Sequence, residues 1–197
     1  MSHEKIGPVL RVSMSSHDFS ALSCILQKGF VVDATVESTL TEFLCSQLGL
    51  DREYVDTRIA TIFLDGKPVD SIDAAIVKDG TIVALSAALP GLAGATYRRG
   101  SRYAAFRKNV SYRKERGVLE RRTGKVVLKL FNTLIADLAP KILERGIWIG
   151  REDVAKLLAM SGKKPDAPVI QNQKDIVAFL QHGEDQSDML RLQARIV

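Results

Sequence analysis

The most constraining feature of the sequence is a run of strand and turn signals from Arg58 to Gly100, RIATIFLDGKPVDSIDAAIVKDGTIVALSAALPGLAGATYRRG. An Asp-Gly pair separates the apolar run Ile59–Leu64 from Lys67–Val69, which is a strong hairpin signal. A second Asp-Gly pair precedes Thr81–Leu85. The stretch therefore predicts three strands joined by tight turns and followed by an apolar tail.

Upstream of this run the sequence predicts a hairpin and then a helix. Phe30–Val36 alternates with the two-residue period of a half-buried strand, and Ser20–Gln27 is a second candidate strand. The Lys-Gly pair between them suggests the turn of a hairpin. The apolar residues from Leu40 to Leu48 then follow helical spacing, with Thr39 and Glu42 as a capping box at the helix start.

The segment FLDGKPVDSIDAAIVKDGTIVALSAALPGLAGA is similar to the C-terminal half of the small sulfur carriers, the molybdopterin synthase small subunit and the thiamine sulfur carrier. Lys78-Asp79-Gly80 resembles the turn before their last strand, and Leu89–Gly94 resembles their apolar tail. The resemblance covers residues 20–95 and implies a β-grasp, ubiquitin-like fold. It implies no carrier activity, because Leu92–Ala95 lacks the terminal Gly-Gly at which such carriers are activated.

The whole chain predicts an α+β protein with two units. Residues 1–95 are expected to form a β-grasp-like mixed sheet with one crossing helix, and residues 96–197 a basic segment and a helical unit packed on the first. In the second unit, Val126–Leu143 traces a wide apolar helical stripe and Arg151–Met160 predicts another helix. Met189–Val197 alternates like a strand, so we expect the end of the chain to pair into a sheet.

The strongest compositional signal is a basic segment, Arg98–Lys129. It holds twelve basic and two acidic residues, a net charge of +10, while the remaining 16 basic and 21 acidic residues give −5. Its candidates for binding nucleic acid or another anion are Arg98, Arg99, Arg102, Arg107, Lys108, Arg113, Lys114, Arg116, Arg121 and Arg122. The interleaved candidates for stacking on unpaired bases are Tyr97, Tyr103, Phe106 and Tyr112. The alternative interpretation is a solvated face of strands and a helix start.

Residues 84–95 form an apolar tail of mostly small residues. One interpretation is a buried connector whose small side chains let another element approach the sheet closely. The other is a contact surface for a protein partner or a second copy of the chain, because an exposed apolar strip of this length needs a cover.

Catalytic and metal-binding signatures are missing from the sequence. His3, His17 and His182 are scattered, and Cys24 and Cys45 form neither a CxxC motif nor a pattern with nearby histidines. We therefore predict no metal, no cofactor and no catalytic residue. No window approaches the roughly 18 apolar residues of a membrane span, and no signal peptide is recognisable, so we expect a cytoplasmic protein without a membrane partner.

The sequence favours a non-enzymatic binding or adaptor protein whose partner is unknown. One alternative is binding of RNA or single-stranded nucleic acid through residues 98–129. Another is a relation to sulfur-carrier or cofactor biosynthesis, as the resemblance implies.

Overall fold

The computed structural model describes residues 9–14, 20–89, 91–103, 112, 120–160, 169–171, 181 and 189–196. Its strands are β1 (Val9–Met14), β2 (Phe30–Val36), β3 (Ser38–Thr39), β4 (Thr61–Leu64), β5 (Lys67–Pro68), β6 (Ile76–Val77), β7 (Ile82–Ser86), β8 (Arg122–Phe131), β9 (Ile147–Gly150), β10 (Val169–Gln171) and β11 (Met189–Ile196). Its helices are α1 (Ser20–Lys28), α2 (Arg52–Arg58), α3 (Gly91–Tyr97), α4 (Thr133–Arg145) and α5 (Arg151–Met160), with a π-helical stretch at Glu42–Gln47. The protein has the predicted α+β class.

The chain divides into two compact units. The central unit is continuous, Leu26–Asp137, and the terminal unit combines Met1–Ile25 with Leu138–Val197. The boundary expected between residues 95 and 96 falls inside the central unit. Among the described residues, each unit contains one parallel strand pair flanked by antiparallel ones.

The sheet of the central unit has the strand order β2-β8-β7-β4-β5. Strands β7 and β8 are parallel, and the other neighbouring pairs are antiparallel. Strand β8 pairs with β2 over seven residues and with β7 over five. Its Val126, Leu128 and Leu130 alternate into the core with no exposed surface. Strand β8 therefore joins the two parts of this sheet.

The structure corrects the prediction of one helix over Val126–Leu143. Residues 126–131 belong to strand β8, and helix α4 begins only at Thr133, after Asn132 with a left-handed φ of 58°. Short apolar runs fit both the helical and the strand period. Here the segment forms a strand, because β2 and β7 pair with its backbone on either side. From Thr133 onward the helix prediction is correct.

The predicted hairpin before residue 37 is wrong in its first strand. Residues 20–28 form helix α1, whose Leu22, Ile25 and Leu26 are buried at helical spacing while Cys24 is exposed. The antiparallel partner of β2 is β8 instead. The alternation predicted for β2 itself is confirmed, because Phe30 and every second residue after it to Val36 are buried.

The predicted capping box is confirmed. The Thr39 amide donates to Glu42 Oε2 at 3.0 Å, and the Glu42 amide donates to Thr39 Oγ1 at 3.1 Å. The following helical turns are wider than α-helical, since the Leu48 amide donates to the Phe43 carbonyl five residues back, at 2.9 Å. Phe43 has no exposed surface, so this stretch supplies the predicted apolar face.

The first Asp-Gly turn forms the predicted hairpin between β4 and β5. Asp65 and Gly66 have φ values of 49° and 76°, which matches the left-handed pair of a tight hairpin turn.

The second Asp-Gly turn is hydrogen-bonded to strand β8. Asp79 Oδ1 accepts a hydrogen bond from the Lys125 amide at 2.8 Å, and the Gly80 amide donates to the Lys125 carbonyl at 2.7 Å. A Cβ at Gly124 would lie 2.8 Å from Asp79 Oδ1 and 2.9 Å from the Val36 side chain. Glycine at position 124 is therefore what allows the turn to approach the strand.

The sheet of the terminal unit has the order β10-β1-β11-β9. Its middle strands β1 and β11 are parallel, and they come from opposite ends of the chain. The side chains that point into the core include those of Leu10, Val12, Leu190 and Leu192. The strand predicted at the C-terminal end of the sequence is thus confirmed. Within the described ranges, no helix is long and apolar enough to cross a membrane.

Replacing Gly124 with alanine is expected to destabilise the protein by about 1–3 kcal/mol, because the new methyl group overpacks the turn against β8. Urea denaturation followed by circular dichroism measures the loss. Gly150→Ala is the matched control, since a Cβ there meets nothing within 4 Å. Equal midpoints for the two variants would contradict the close approach described above.

Acid is expected to weaken the central unit. The Thr39 amide holds the pKa of Glu42 below its ordinary value, and the Lys125 amide does the same for the pKa of Asp79. Because both pKa values are lower in the folded state, the stabilisation is complete above the unfolded values of about 4 and is lost as the pH falls through the folded values.

Urea midpoints measured from about pH 7 to about pH 3 test this pH dependence, since they span the ordinary carboxyl pKa values. Asp79→Asn is expected to flatten the acid decline, whereas Glu120→Gln, an exposed acid of the same unit, should leave it unchanged. If the urea midpoints of both variants fell identically with pH, Asp79 would not contribute to the acid sensitivity.

Candidate binding surface

The sheet of the central unit has a buried face and a partly exposed face. In β7, Val83 and Leu85 have no exposed surface, whereas Ile82 is 39% exposed and Ala84 is half-buried. Because successive side chains of a strand point to opposite faces, Ile82 and Ala84 lie on the side away from the core. We call this side the outer sheet face.

The strand register sets further side chains beside Ala84 on the outer sheet face. Phe63 of β4 pairs with Ala84 on one side, and Lys129 of β8 pairs with it on the other. Phe131 lies two residues further along β8, opposite Ser86. Phe63, Lys129 and Phe131 are all half-buried. Two aromatic rings therefore flank a strand whose central side chain is a single methyl group.

These side chains form a groove of about 430 Å³. It is lined by Phe63, Gly66, Ile82, Ala84, Ser86, Leu89, Lys129 and Phe131. The volume lies in the range of about 300–1,000 Å³ that is typical of ligand sites. Lys129 is the charged member of the lining, and no carboxylate of the described residues forms an ion pair with it. The groove thus offers apolar walls and one amine.

The segment that follows β7 borders this groove. Ser86 Oγ donates to the Ala88 carbonyl at 2.9 Å and accepts a hydrogen bond from Asn132 Nδ2 at 3.1 Å. Helix α3 comes next, and the rings of its Tyr97 and of Phe63 have centroids 5.5 Å apart at an interplanar angle of 57°. The apolar tail, residues 84–95, therefore contributes Ala84, Ser86 and Leu89 to the lining of the groove.

Gly94 is an interior residue of helix α3. A Cβ at this position would lie 1.7 Å from the Leu89 carbonyl oxygen, so the close approach of these two residues requires glycine. Three further residues of the same helix follow Gly94.

Among the candidates of the basic segment, Arg99 has a structural role. Its side chain is 12% exposed, and Nη2 donates to the Ile59 carbonyl at 2.8 Å and also to the Val55 carbonyl. Asp56 lies 3.6 Å away, and burial lowers the pKa of Arg99. Arg99 therefore caps the C-terminal end of helix α2, where a cation is favoured by the helix dipole.

Two further arginines of the basic segment are paired with acids of the same unit. Arg121 contacts Glu42, and Arg122 Nη1 lies 3.3 Å from Asp79 Oδ2. Both arginine side chains are more than half exposed, so these pairs contribute little to stability. Their charge is nevertheless largely offset on the surface.

The stacking candidates are spread over different environments. Tyr97 packs on Phe63. The Tyr112 amide donates to the Pro68 carbonyl at 3.0 Å, and the Tyr112 hydroxyl oxygen accepts a hydrogen bond from the Ile76 amide at 3.2 Å. Tyr103 is 53% exposed. Arg98 and Arg102 are also exposed. The remaining candidates, Phe106, Arg107, Lys108, Arg113, Lys114 and Arg116, lie outside the described residues.

One titratable cluster links helix α2 to the start of α4. The Tyr54 hydroxyl donates to Asp137 Oδ2 at 2.8 Å, and Arg58 lies 3.4 Å from the same oxygen. Burial and the bond to Asp137 raise the pKa of Tyr54 to about 12, so the phenol remains a hydrogen-bond donor. In the described part of the chain, no group of three or more His, Cys, Asp or Glu side chains is placed to hold a metal ion.

Sequence reasoning missed the groove on the outer sheet face. A detectable signal was present, because β4 and β7 read TIFL and IVALS, with apolar residues at both odd and even positions. A strand that is apolar on both faces is either packed against other elements on both sides, or one of its faces remains available to a partner. Which strands lie beside them depends on pairings between distant residues.

Replacing Arg99 with methionine is expected to destabilise the protein by about 1.5–3 kcal/mol, because buried carbonyls lose a charged donor. Arg102→Met, an exposed arginine of the same segment, should stay within about 0.5 kcal/mol of the wild type. Urea denaturation followed by circular dichroism compares the two. Equal stability of both variants would show that Arg99 does not cap helix α2.

No family model matches the chain, and no curated protein or solved structure shows significant similarity to it.

Proposed function

We propose that the chain is a non-enzymatic binding protein that holds a partner protein on the outer sheet face. The observation on which this rests is the apolar groove of about 430 Å³ around Ile82, which is 39% exposed on the sheet. Single exposed apolar residues are ordinary, but a contiguous apolar surface usually marks a contact site. The groove suits a partner that presents an apolar side chain and, for Lys129, a carboxylate.

The strand order supports a relation to the β-grasp sheet. A β-grasp sheet has its first and last strands parallel at its centre, each with an antiparallel neighbour outside. In the central unit β8 and β7 occupy those positions, with β2 and β4 outside them. We infer that the central unit is a β-grasp sheet whose first strand has moved to the end of the unit.

A relation to sulfur-carrier or cofactor biosynthesis remains a prediction from the resemblance. Carrier chemistry needs a free C-terminal carboxylate, and Gly94 lies within helix α3. Such chemistry would require cleavage inside that helix.

Binding of RNA or single-stranded nucleic acid through the basic segment is the second candidate. The observation in its favour is the exposure of Arg98, Arg102 and Tyr103 within one short stretch. Against it stand the structural roles of Arg99 and Tyr112 described above.

Ile82→Asp is expected to abolish partner binding, because a carboxylate in the groove must be desolvated against apolar walls. Affinity capture on the purified chain, with a nuclease-treated and an untreated lysate, measures binding. Tyr103→Asp is the matched control, since Ile82 and Tyr103 are both large, exposed apolar side chains. Urea midpoints of both variants confirm that they remain folded.

Proteins retained by the wild type and by Tyr103→Asp but lost from Ile82→Asp would support the outer sheet face. Retention of the same proteins by Ile82→Asp would contradict it. Retention that disappears after nuclease treatment and in Tyr103→Asp would favour the nucleic-acid candidate instead.

A further inference from the structure

A polar surface lies on the sheet of the terminal unit, on strands from opposite ends of the chain. Strands β1 and β11 run parallel, with Arg11 paired with Gln193 and Ser13 paired with Arg195. Val12, between Arg11 and Ser13, is only 2% exposed. Because alternate residues point to opposite faces, the four polar side chains share the face away from the core.

These four side chains line a cavity of about 420 Å³, together with Glu144 from the last turn of α4. Arg11 and Arg195 are exposed, whereas Ser13 and Gln193 are half-buried. Within the described parts of the chain, neither guanidinium makes a hydrogen bond or an ion pair. The cavity therefore contains two arginines whose donors are available.

The next arginine on this face, Arg191, is used differently. Its Nη2 donates to the Arg145 carbonyl at 2.9 Å, and its guanidinium lies over the Trp148 ring at 5.9 Å. It caps the end of helix α4 and stacks on an aromatic face, which are structural roles. The contrast shows that Arg11 and Arg195 are not required in the same way by the fold.

Two guanidinium groups at one cavity favour an anion with oxygen atoms on several sides. A guanidinium has five donors in a planar fork that fits carboxylate or phosphate bidentately. A carboxylate has two oxygens, which one arginine satisfies, whereas a phosphate group can serve Arg11 and Arg195 together. The Ser13 hydroxyl and the Gln193 amide add further donors.

Glu144 restricts the ligand further. Its carboxylate repels a bare anion, but it accepts a hydrogen bond from a hydroxyl group. A phosphate ester that carries a hydroxyl on its organic part fits this lining better than a bare anion does.

We propose that this cavity binds a phosphate group, with Arg11 and Arg195 as its principal ligands. The phosphate belongs either to a small phosphate ester or to the backbone of a single-stranded nucleic acid. Its residues are distinct from the basic segment Arg98–Lys129, and the proposal does not depend on the outer sheet face.

The test uses the full chain with three probes at low salt: inorganic phosphate, adenosine monophosphate and a dye-labelled single-stranded oligothymidine. Calorimetry measures the small probes, and fluorescence anisotropy measures the oligonucleotide. Arg11→Gln and Arg195→Gln are each expected to weaken binding about tenfold or more, the loss of one charge-assisted bidentate contact. Arg58→Gln, an exposed arginine of the central unit, should change binding less than about twofold.

Glu144→Gln provides a variant that gains affinity. Removal of the like charge is expected to strengthen the binding of inorganic phosphate severalfold, which loss of folding cannot imitate. Unchanged phosphate affinity in this variant would count against the proposal.

Binding of adenosine monophosphate as tight as that of the oligonucleotide would assign the site to small phosphate esters. Oligonucleotide binding alone, falling steeply with salt, would assign it to a nucleic-acid backbone. Either result supports a phosphate site at this cavity when the Arg11→Gln and Arg195→Gln variants lose the binding. No binding of any probe by the wild type, or binding by both arginine variants that is as tight as that of the wild type, would overturn it.

Discussion

The pairing of β8 between β2 and β7 is the interaction on which the central unit depends. Without it, β2 would lose its seven-residue antiparallel partner, and β7 its parallel one. The turn at Asp79 is hydrogen-bonded to the same strand, and the absence of a side chain at Gly124 allows this close approach. Backbone groups in a sheet interior must be hydrogen-bonded, so the core and the strand order form together.

The parallel arrangement of β7 and β8 also explains the segment between them. Parallel strands need a crossover connection of a dozen or more residues, and residues 87–121 are that connection. It contains most of the apolar tail, helix α3 and most of the basic segment. The two most unusual stretches of the sequence are therefore first of all parts of one crossover. Arg99 shows this directly, because its charge stabilises the end of helix α2.

The same principle recurs in the terminal unit. Strands β1 and β11, separated by most of the sequence, form its parallel pair. Pairing of distant strands places Arg11 and Arg195 in one cavity, although the sequence around each is unremarkable in charge. In both units the proposed binding surface lies on the sheet face away from the core. Binding surfaces formed in this way require no catalytic motif in the sequence.

The sequence alone determined the features that depend on neighbouring residues. The β4–β5 turn, the alternation of β2 and the capping box of Thr39 and Glu42 are local patterns, and each was predicted correctly. Tertiary structure decided that residues 20–28 are a helix and residues 126–131 a strand, because both short apolar runs fit either period. It also decided the groove around Ile82 and the cavity between Arg11 and Arg195. These sites join residues far apart in sequence, and only backbone pairing between distant strands brings them together.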